Sequence, residues 1–246
     1  MSALTVSNLQ VDFNNATSTK IVFDGLSFSV ERGEFVAIVG KSGCGKTTLL
    51  NCIAGLRAYE GQILHDGSGE PCRHIGYVFQ TPRLLNWLTL AENVGLALRA
   101  THFTLTEVQT RVEQRLKEFE LNDETARKYP LSCSEGEKAR ASLARAFVSD
   151  ADLILMDEPF SSLDWLTAKS IKDRLVANLN NFDGVVLLVT HNISEALALS
   201  DRIFVLNGTP AELVRDIRLR TTNGEKLNSA EASRCEQEIM ETLKHE

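Results

Sequence analysis

The sequence lacks long apolar runs and any excess of basic residues. Its longest apolar segments, VVLLV at 185–189 and LILM at 153–156, have the length of a β-strand and are far too short to span a bilayer. The net charge of -7, with no basic tract to offset it, argues against duplex DNA or anionic lipid as the main partner. The first residues, MSALTVSNLQVDF, lack the basic and then apolar layout of a signal peptide. These absences predict a soluble intracellular protein with no nucleic-acid partner.

Cysteine is scarce and scattered. The five cysteines, at positions 44, 52, 72, 133 and 235, are odd in number and include no C-x-x-C pair. This pattern fits neither a disulfide framework nor a zinc site, and it indicates reduced thiols in a cytosol. With 43% hydrophobic and 24% charged residues, a chain of 246 residues can bury a large core.

The spacing of apolar residues predicts an α/β fold. Eight strand-like runs occur, at residues 4–13, 21–30, 34–40, 61–66, 74–80, 152–157, 184–190 and 201–206. The first five are closely spaced and partly alternating, which favours antiparallel pairing. The last three are continuous apolar runs separated by helical patterns, which favours parallel strands buried on both faces. Between residues 89 and 149 only helical patterns occur.

These patterns also predict how the chain is organised. We expect an α/β core at about 1–83 and 150–220, which includes an antiparallel β subdomain. An all-helical subdomain would be inserted at about 84–149, and a short polar tail at 221–246 would end in a short helix.

One segment has the pattern of a phosphate-binding loop. GKSGCGKT, at 40–47, fits G-x-x-x-x-G-K-[ST], follows a strand-like run and precedes a helical one, which is the context that the motif requires. Gly40, Gly43 and Gly45 would let backbone N–H groups face inward around an anion. Lys46 would reach the β- and γ-phosphates, and the Thr47 hydroxyl would ligate Mg²⁺. The alternative is a merely flexible turn, but the setting favours the core of a P-loop NTPase.

A second segment supplies two adjacent carboxylates. LILMDEP, at 153–159, is an apolar strand that ends in Asp157 and Glu158. Asp157 is placed to hold Mg²⁺ through water, and Glu158 to polarise an attacking water. The alternative is a solvated acidic turn, but the presence of a phosphate loop favours a catalytic role for the two carboxylates.

The stretch CSEGE, at 133–137, allows two interpretations. Ser134 and Glu137 have the spacing of a capping box, in which each side chain accepts a hydrogen bond from the other residue's backbone N–H. The turn and the helix start after it would equally suit an anion.

Taken together, these motifs resemble the ATP-binding-cassette (ABC) ATPases, over about residues 4–220. The resemblance implies that Gln80 senses Mg²⁺ and the attacking water, that His191 contacts the γ-phosphate, and that Asp164 belongs to the D-loop. It implies that Phe13 stacks on adenine, with Phe23 as the alternative. The implied ATP-binding set is Phe13, Gly40, Lys41, Ser42, Gly43, Cys44, Gly45, Lys46, Thr47 and Thr48, and the implied Mg²⁺ ligands are Thr47, Gln80 and Asp157.

The resemblance also implies a dimer. Tyr129 and Pro130 set the register of the family's signature, Leu-Ser-Gly-Gly-Gln, so CSEGE stands in its place. Two cassettes would pair head to tail, and Ser134, Glu135, Gly136 and Glu137 would contact the ATP of the partner subunit. Cys133 replaces the usual Leu. Glu135 replaces a Gly and brings a carboxylate towards the incoming triphosphate, which we expect to slow idle hydrolysis.

A final stretch narrows the type of cassette. FQTPRLLNWLTLAENV, at 79–94, resembles the uptake cassettes for nitrate, sulfonate and taurine. The implied protein is the ATPase of an importer for a small anion, peripheral on the cytoplasmic face of the inner membrane. Its implied partners are permease subunits, which would meet the apolar cluster around Trp87, and an extracytoplasmic solute-binding protein. Two alternatives stay open: a soluble scaffold ATPase of the same fold, and a low-turnover regulatory cassette with a degenerate signature.

Overall fold

A computed structural model of the chain describes residues 2–15, 18–66, 74–179, 182–219 and 228–244. The chain divides into two compact units, one formed by Met1–Arg73 with Asp183–Glu246 and the other by His74–Phe182. This division differs from the predicted helical subdomain at 84–149, whose limits stay a prediction.

The described residues form nine strands and eight α-helices, with two short 3-10 helices at Leu96–Leu98 and Pro130–Ser132. In chain order these are β1 (Ser2–Asn15), β2 (Ser18–Glu31), β3 (Phe35–Gly40), α1 (Lys46–Ile53), β4 (Glu60–His65), β5 (Ile75–Val78), α2 (Leu90–Gly95), α3 (Leu105–Glu118), α4 (Asp123–Ala126), α5 (Glu135–Phe147), β6 (Leu153–Asp157), α6 (Trp165–Leu179), β7 (Val185–Thr190), α7 (Ile193–Leu199), β8 (Arg202–Asn207), β9 (Glu212–Arg218) and α8 (Ser229–Lys244). None of the helices in these ranges is long and apolar enough to cross a membrane.

The first unit contains the predicted antiparallel β subdomain. Strands β2, β1 and β4 pair antiparallel in that order. Leu4, Val6, Leu9 and Val11 of β1 are buried, because the alternation of a strand sends every second side chain to one face and a register shift between Val6 and Leu9 accommodates the break in the pattern. The expected antiparallel pairing of these runs is confirmed.

The first unit also contains a mainly parallel set of strands in the order β7-β3-β8-β9. Every residue of β3, β7 and β8 is buried, as continuous apolar runs predict for strands covered on both faces. The predicted antiparallel pairing of the 34–40 run is wrong, since β3 pairs parallel with both β7 and β8. Strand β9, which pairs antiparallel with β8, was not predicted.

The second unit packs helices around a parallel strand pair. β5 pairs parallel with β6, so the antiparallel prediction for the 74–80 run is also wrong. Residues 84–149, all of which are described, contain helices and no strand, as expected. Helix α5 lies very close to β5: a Cβ at Gly76 would come within 2.4 Å of the Ala146 carbonyl oxygen. Glycine therefore lets the helix reach the strand.

A helix near the end of the chain packs into the core, although the sequence around it is polar. Helix α8 is 16 residues long. Its Ile239 is fully buried in an apolar cluster that includes Ala37 of β3 and Ile203 of β8. The predicted terminal helix is therefore present, and it is part of the core of the first unit. The start of the predicted tail, residues 221–227, lies outside the described residues.

Candidate functional site

The loop between β3 and α1 has the backbone that the glycine pattern predicts. Gly43 and Gly45 have φ values of 80° and 110°, which other residues rarely adopt. A Cβ at Gly45 would also lie 2.5 Å from a methyl group of Val22. Gly45 is the N-cap of α1, and no described side chain caps this helix start. A bound anion could therefore take the place of a side-chain cap at the start of α1.

Lys46 is held inside this loop. It is 5% exposed, and its Nζ donates hydrogen bonds to the carbonyl oxygens of Gly40, at 2.8 Å, and Lys41, at 2.9 Å. A lysine ammonium has three protons, so these two bonds leave one for a phosphate oxygen. Around it, Lys41, Ser42 and Thr47 are exposed, whereas Cys44 and Thr48 are half-buried.

His191 lies at the same edge of the sheet as the phosphate loop. It follows Thr190, the last residue of β7, and Thr190 is paired with Val39 of β3, directly before Gly40. The next residue, Asn192, caps α7 by accepting a hydrogen bond from the backbone N–H of Glu195. The Thr190 hydroxyl donates to the Glu195 carboxylate at 2.7 Å, which fixes the turn on its other side.

Phe13 and Arg57 form a stacked pair in the first unit. The Arg57 guanidinium lies 3.6 Å from the centre of the Phe13 ring, and its Nη2 donates to the Asp12 carbonyl oxygen at 2.8 Å. Phe13 is 38% exposed, whereas the alternative, Phe23, is fully buried beneath the phosphate loop and has no free face. Nothing in the local sequence pattern around Arg57 marks it as a partner of Phe13.

In the second unit, the ends of β5 and β6 bring Gln80 and Glu158 together. Val78 pairs with Met156, so the segments that follow β5 and β6 begin at the same edge of the strand pair. Gln80 Nε2 donates to Glu158 Oε2 at 3.4 Å, and Asp157, the residue before, is 5% exposed. Glu158 has a φ of 44°, a strained value for a residue with a side chain. Ser161 stabilises this turn, because its N–H and its hydroxyl both donate to the Glu158 carbonyl oxygen.

Asp164 is fixed at the start of α6. Its carboxylate accepts a hydrogen bond from the Thr167 backbone N–H at 3.0 Å, and hydrogen bonds from Thr167 lower its pKa. The following residues, Trp165 and Leu166, are 72% and 70% exposed. The predicted D-loop aspartate is therefore a helix cap in this chain.

The signature segment contains the capping box that its sequence predicts. Glu137 Oε2 accepts from the Ser134 N–H at 2.7 Å, and the Ser134 Oγ accepts from the Glu137 N–H at 3.2 Å. The Ser134 backbone bond is the main cause of the lowered pKa of Glu137. Glu135 forms an ion pair with Lys138, whose Nζ lies 2.7 Å from Glu135 Oε1. The charge of Glu135 is thus paired locally, which the expectation of an unpaired carboxylate near the triphosphate did not include.

The predicted Mg²⁺ ligands suit that ion by their chemistry. Thr47, Gln80 and Asp157 offer hydroxyl, amide and carboxylate oxygens, the donors that Mg²⁺ prefers. Because the Gln80 amide nitrogen is directed to Glu158, its oxygen keeps its acceptor capacity. In the described ranges no group of three or more His, Cys, Asp or Glu residues could hold a metal.

Sequence comparison identifies relatives along almost the whole chain. The family model described as ABC transporter matches residues 23–161, which is more than half of the protein. The chain is 33% identical over 249 aligned residues to an aliphatic sulfonates import ATP-binding protein, SsuB, of Bacillus thuringiensis subsp. konkukian, which covers 98% of this chain and 97% of the relative. An SsuB of Corynebacterium glutamicum is 40% identical over 205 residues, 83% of this chain and 80% of the relative.

Solved structures have the same fold. A dimeric ATP-binding cassette, MJ0796, in a post-hydrolysis state with bound ADP and phosphate, superposes with a TM-score of 0.79 and 29% identity, over 89% of this chain and 99% of that chain. CbiO1 from Clostridium perfringens, part of the CbiONQ transporter complex, superposes with a TM-score of 0.74 and 25% identity, over 88% of each chain. The P-loop NTPase fold predicted from the sequence is confirmed. The chain belongs to the ABC transporter family, as one of its ATP-hydrolysing cassettes.

Proposed function

We propose that this chain is the energy-coupling ATPase of an importer for a small anion of the sulfonate, taurine or nitrate class. The observation that carries the proposal is the end-to-end similarity to proteins named as sulfonate import ATP-binding proteins, which spans 98% of the chain. The stretch around Trp87, which resembles the same group of cassettes, supports it independently of the ATPase motifs.

ATP binding is assigned to the phosphate loop and Phe13. The backbone N–H groups from Gly40 to Thr48 would surround the β-phosphate, and Lys46 would neutralise charge on the β- and γ-phosphates. Phe13 would stack on adenine, steadied by Arg57 on its ring. Thr47, Asp157 and Gln80 would hold Mg²⁺, which when bound draws charge from the phosphate oxygens.

Hydrolysis is assigned to Glu158, with Gln80 and His191 as its companions. A Glu158 carboxylate oxygen would accept the proton of the attacking water, and Gln80, in hydrogen-bond contact with that carboxylate, would orient it. The His191 ring would donate a hydrogen bond to the γ-phosphate. The strained φ of Glu158 supports this role, since strained backbone clusters at functional sites.

The signature is assigned to a second cassette. In a head-to-tail pair, Ser134 and the backbone at Gly136 would contact the ATP bound by the partner subunit, and Glu135, Glu137 and Asp164 would line the same face. The capped start of α5 would then also be the anion site, because the positive end of the helix dipole would point towards the triphosphate.

Membrane association is assigned to contact with permease subunits on the cytoplasmic face of the membrane. Trp87 is 72% exposed, which supports a contact with a partner. An exposed indole beside the half-buried Leu84, Leu85 and Leu88 suits a groove for a helix of the permease. The solute-binding protein would act from the other side of the membrane.

Co-purification tests the proposal. The tagged chain, extracted from membranes of its native organism in mild detergent, should bring down a multi-span membrane protein in near-equal amount. The Glu158→Gln chain serves as a matched control, because it should bind the permease equally while losing hydrolysis. Recovery of soluble partners alone would overturn the transport role and favour the scaffold alternative.

A further inference from the structure

The loop after Gln80 is held to the signature helix by hydrogen bonds from one half-buried arginine. Arg145, near the end of α5, donates through Nη1 to the Arg83 carbonyl oxygen at 3.0 Å and through Nη2 to the Pro82 carbonyl oxygen at 2.8 Å. Among the described residues no carboxylate pairs with it, and burial lowers the pKa of its guanidinium. Partly burying a charge without a counter-charge is unfavourable, and the hydrogen bonds to the two carbonyl groups offset part of this cost.

The held loop has a strained backbone. Arg83 has a φ of 45°, although it carries a side chain. Its guanidinium lies over the Phe79 ring, 4.2 Å from the centroid, and that ring stacks on Tyr77 of β5 with centroids 4.0 Å apart. Such a backbone conformation persists only where the surroundings fix it. Arg145 and the aromatic stack supply that fixation on two sides.

The far end of the same loop is also pinned. Asn93 of α2 is fully buried, and its side chain accepts from the Leu85 N–H at 2.7 Å. Its amide nitrogen donates to the carbonyl oxygens of Leu85, Leu88 and Thr89. Residues 82–89 are thus held at one end by Arg145 and at the other by Asn93, and the exposed Trp87 lies between them.

We propose that Arg145 is a positioning residue that locks residues 82–89 to α5, so that the loop following Gln80 and the helix that begins at the signature move as one body. A force applied at Trp87 then reaches both the Gln80 end of the loop and the Ser134 end of the helix. The inference rests on the proposed function, because it assumes that Gln80 acts in ATP hydrolysis.

Hydrogen exchange tests the lock without relying on activity. Arg145→Met keeps the apolar stem but removes both donors, and the freed carbonyls lie on the half-buried Pro82 and the exposed Arg83, where water can reach them. Amide exchange in the peptide 79–89 should become about ten-fold faster, as expected for losing two charge-assisted hydrogen bonds. The melting temperature should stay near the parent value, since the variant also removes a half-buried charge that no described carboxylate pairs with. Arg145→Lys should give an intermediate rate.

Arg115→Met is the matched control. Arg115 is a half-buried arginine of the same unit, bound to Glu118 and Asn178 away from the loop, so exchange at 79–89 should stay at the parent rate. Equal exchange at 79–89 in Arg145→Met and in the parent would overturn the lock. A lowered melting temperature with faster exchange throughout the unit would overturn it too, by assigning Arg145 a general structural role.

A double-mutant cycle tests the connection to Gln80. Arg145→Met should lower kcat about ten-fold with KM for ATP near the parent value, whereas in a Gln80→Ala background it should lower kcat less than about two-fold. Losses that simply multiply would contradict action through the loop. A parent chain that hydrolyses ATP but never binds a permease would contradict the proposed function and leave the lock intact.

Discussion

Ion pairs and capping bonds decide what single residues can contribute to the site. Lys46 is committed to two loop carbonyls and keeps one proton for phosphate. Glu137 is committed to the Ser134 N–H, and its lowered pKa means that this cap is present at neutral pH and is lost only as the pH falls through that lowered value. Glu135, expected from the sequence to repel the partner's triphosphate, is paired with Lys138. The carboxylate of Glu135 in the signature thus has a neighbouring positive charge, which the sequence CSEGE alone does not show.

The first prediction concerns that balance. Because Lys138 offsets the charge of Glu135, Glu135→Gln should change the half-saturating ATP concentration of the cassette dimer by less than about two-fold. Lys138→Met, which leaves the carboxylate uncompensated, should raise it several-fold at low salt, and the effect should fade at high salt.

The double variant Glu135→Gln with Lys138→Met supplies the control, and it should return to the parent value. ATP titrations of phosphate release over a salt series measure all three. If Glu135→Gln alone lowers the half-saturating concentration several-fold, the ion pair does not silence the carboxylate.

The second prediction concerns Arg57. Arg57→Ala removes the guanidinium from the Phe13 ring, and a cation–π contact at an exposed site is worth about 0.5–1 kcal/mol. Calorimetry should then show ATP binding weakened about two- to five-fold, while inorganic triphosphate, which has no base to stack, binds as before. Arg32→Ala, which removes an exposed arginine paired with Asp66 in the same unit, should alter neither. Equal weakening of ATP and triphosphate would show that Arg57 supports the phosphate loop instead.

At the scale of helices and strands, sequence patterns predicted which segments form strands better than they predicted how those strands pair. The continuous apolar runs of β6, β7 and β8 correctly indicated strands covered on both faces, and β3 proves to be buried on both faces as well. The direction of β3 and β5 was predicted wrongly, because it depends on distant partner strands and not on spacing along the chain. Strand β9 was missed since five of its seven residues are exposed and four of the seven are charged.

The phosphate loop, the strand-end carboxylates and the capping box were predictable because each depends on residues close in sequence. The contacts of Arg57 with Phe13 and of Arg145 with Pro82 were not, because they join residues 44 and 63 positions apart in the chain. Long side chains such as arginine reach partners that no local pattern specifies.

The third prediction concerns helix α8. Ile239 is fully buried against the strands of the first unit, so Ile239→Ala should lower the free energy of unfolding by about 2–5 kcal/mol. Met240→Ala, at the neighbouring position that is 44% exposed, should lower it by about 0.5 kcal/mol or less. Urea denaturation distinguishes the two. A small, equal effect of both substitutions would mean that α8 contributes little to the core.

The fourth prediction concerns the loop that carries Trp87. Because the indole is exposed, Trp87→Ala should leave ATP binding by the isolated chain unchanged and should weaken capture of the permease at least about five-fold, as truncating an aromatic residue central to an interface does. Leu105→Ala removes a side chain that is 90% exposed at the start of α3 and should leave capture unchanged. Quantitative pull-down from membranes measures both. Parallel loss of ATP binding and permease capture would contradict a surface role.

At the scale of the whole molecule, the question is how ATP hydrolysis by this chain is coupled to transport. Family membership accounts for ATP hydrolysis, and the end-to-end similarity to import cassettes supports the proposed contact with a permease. The proposed contribution of this subunit to transport is the energy of ATP hydrolysis. Removing the chemistry without disturbing assembly therefore isolates that contribution.

Uptake of labelled anions measures it most directly. In a strain lacking this chain, the parent gene should restore uptake of taurine, an alkanesulfonate or nitrate. Glu158→Gln keeps the shape of the side chain but removes the base, so it should assemble at the membrane in equal amount, bind ATP, and restore about 1% of the parent uptake or less. Full uptake with Glu158→Gln, or no dependence of any of the three anions on the chain, would contradict the account.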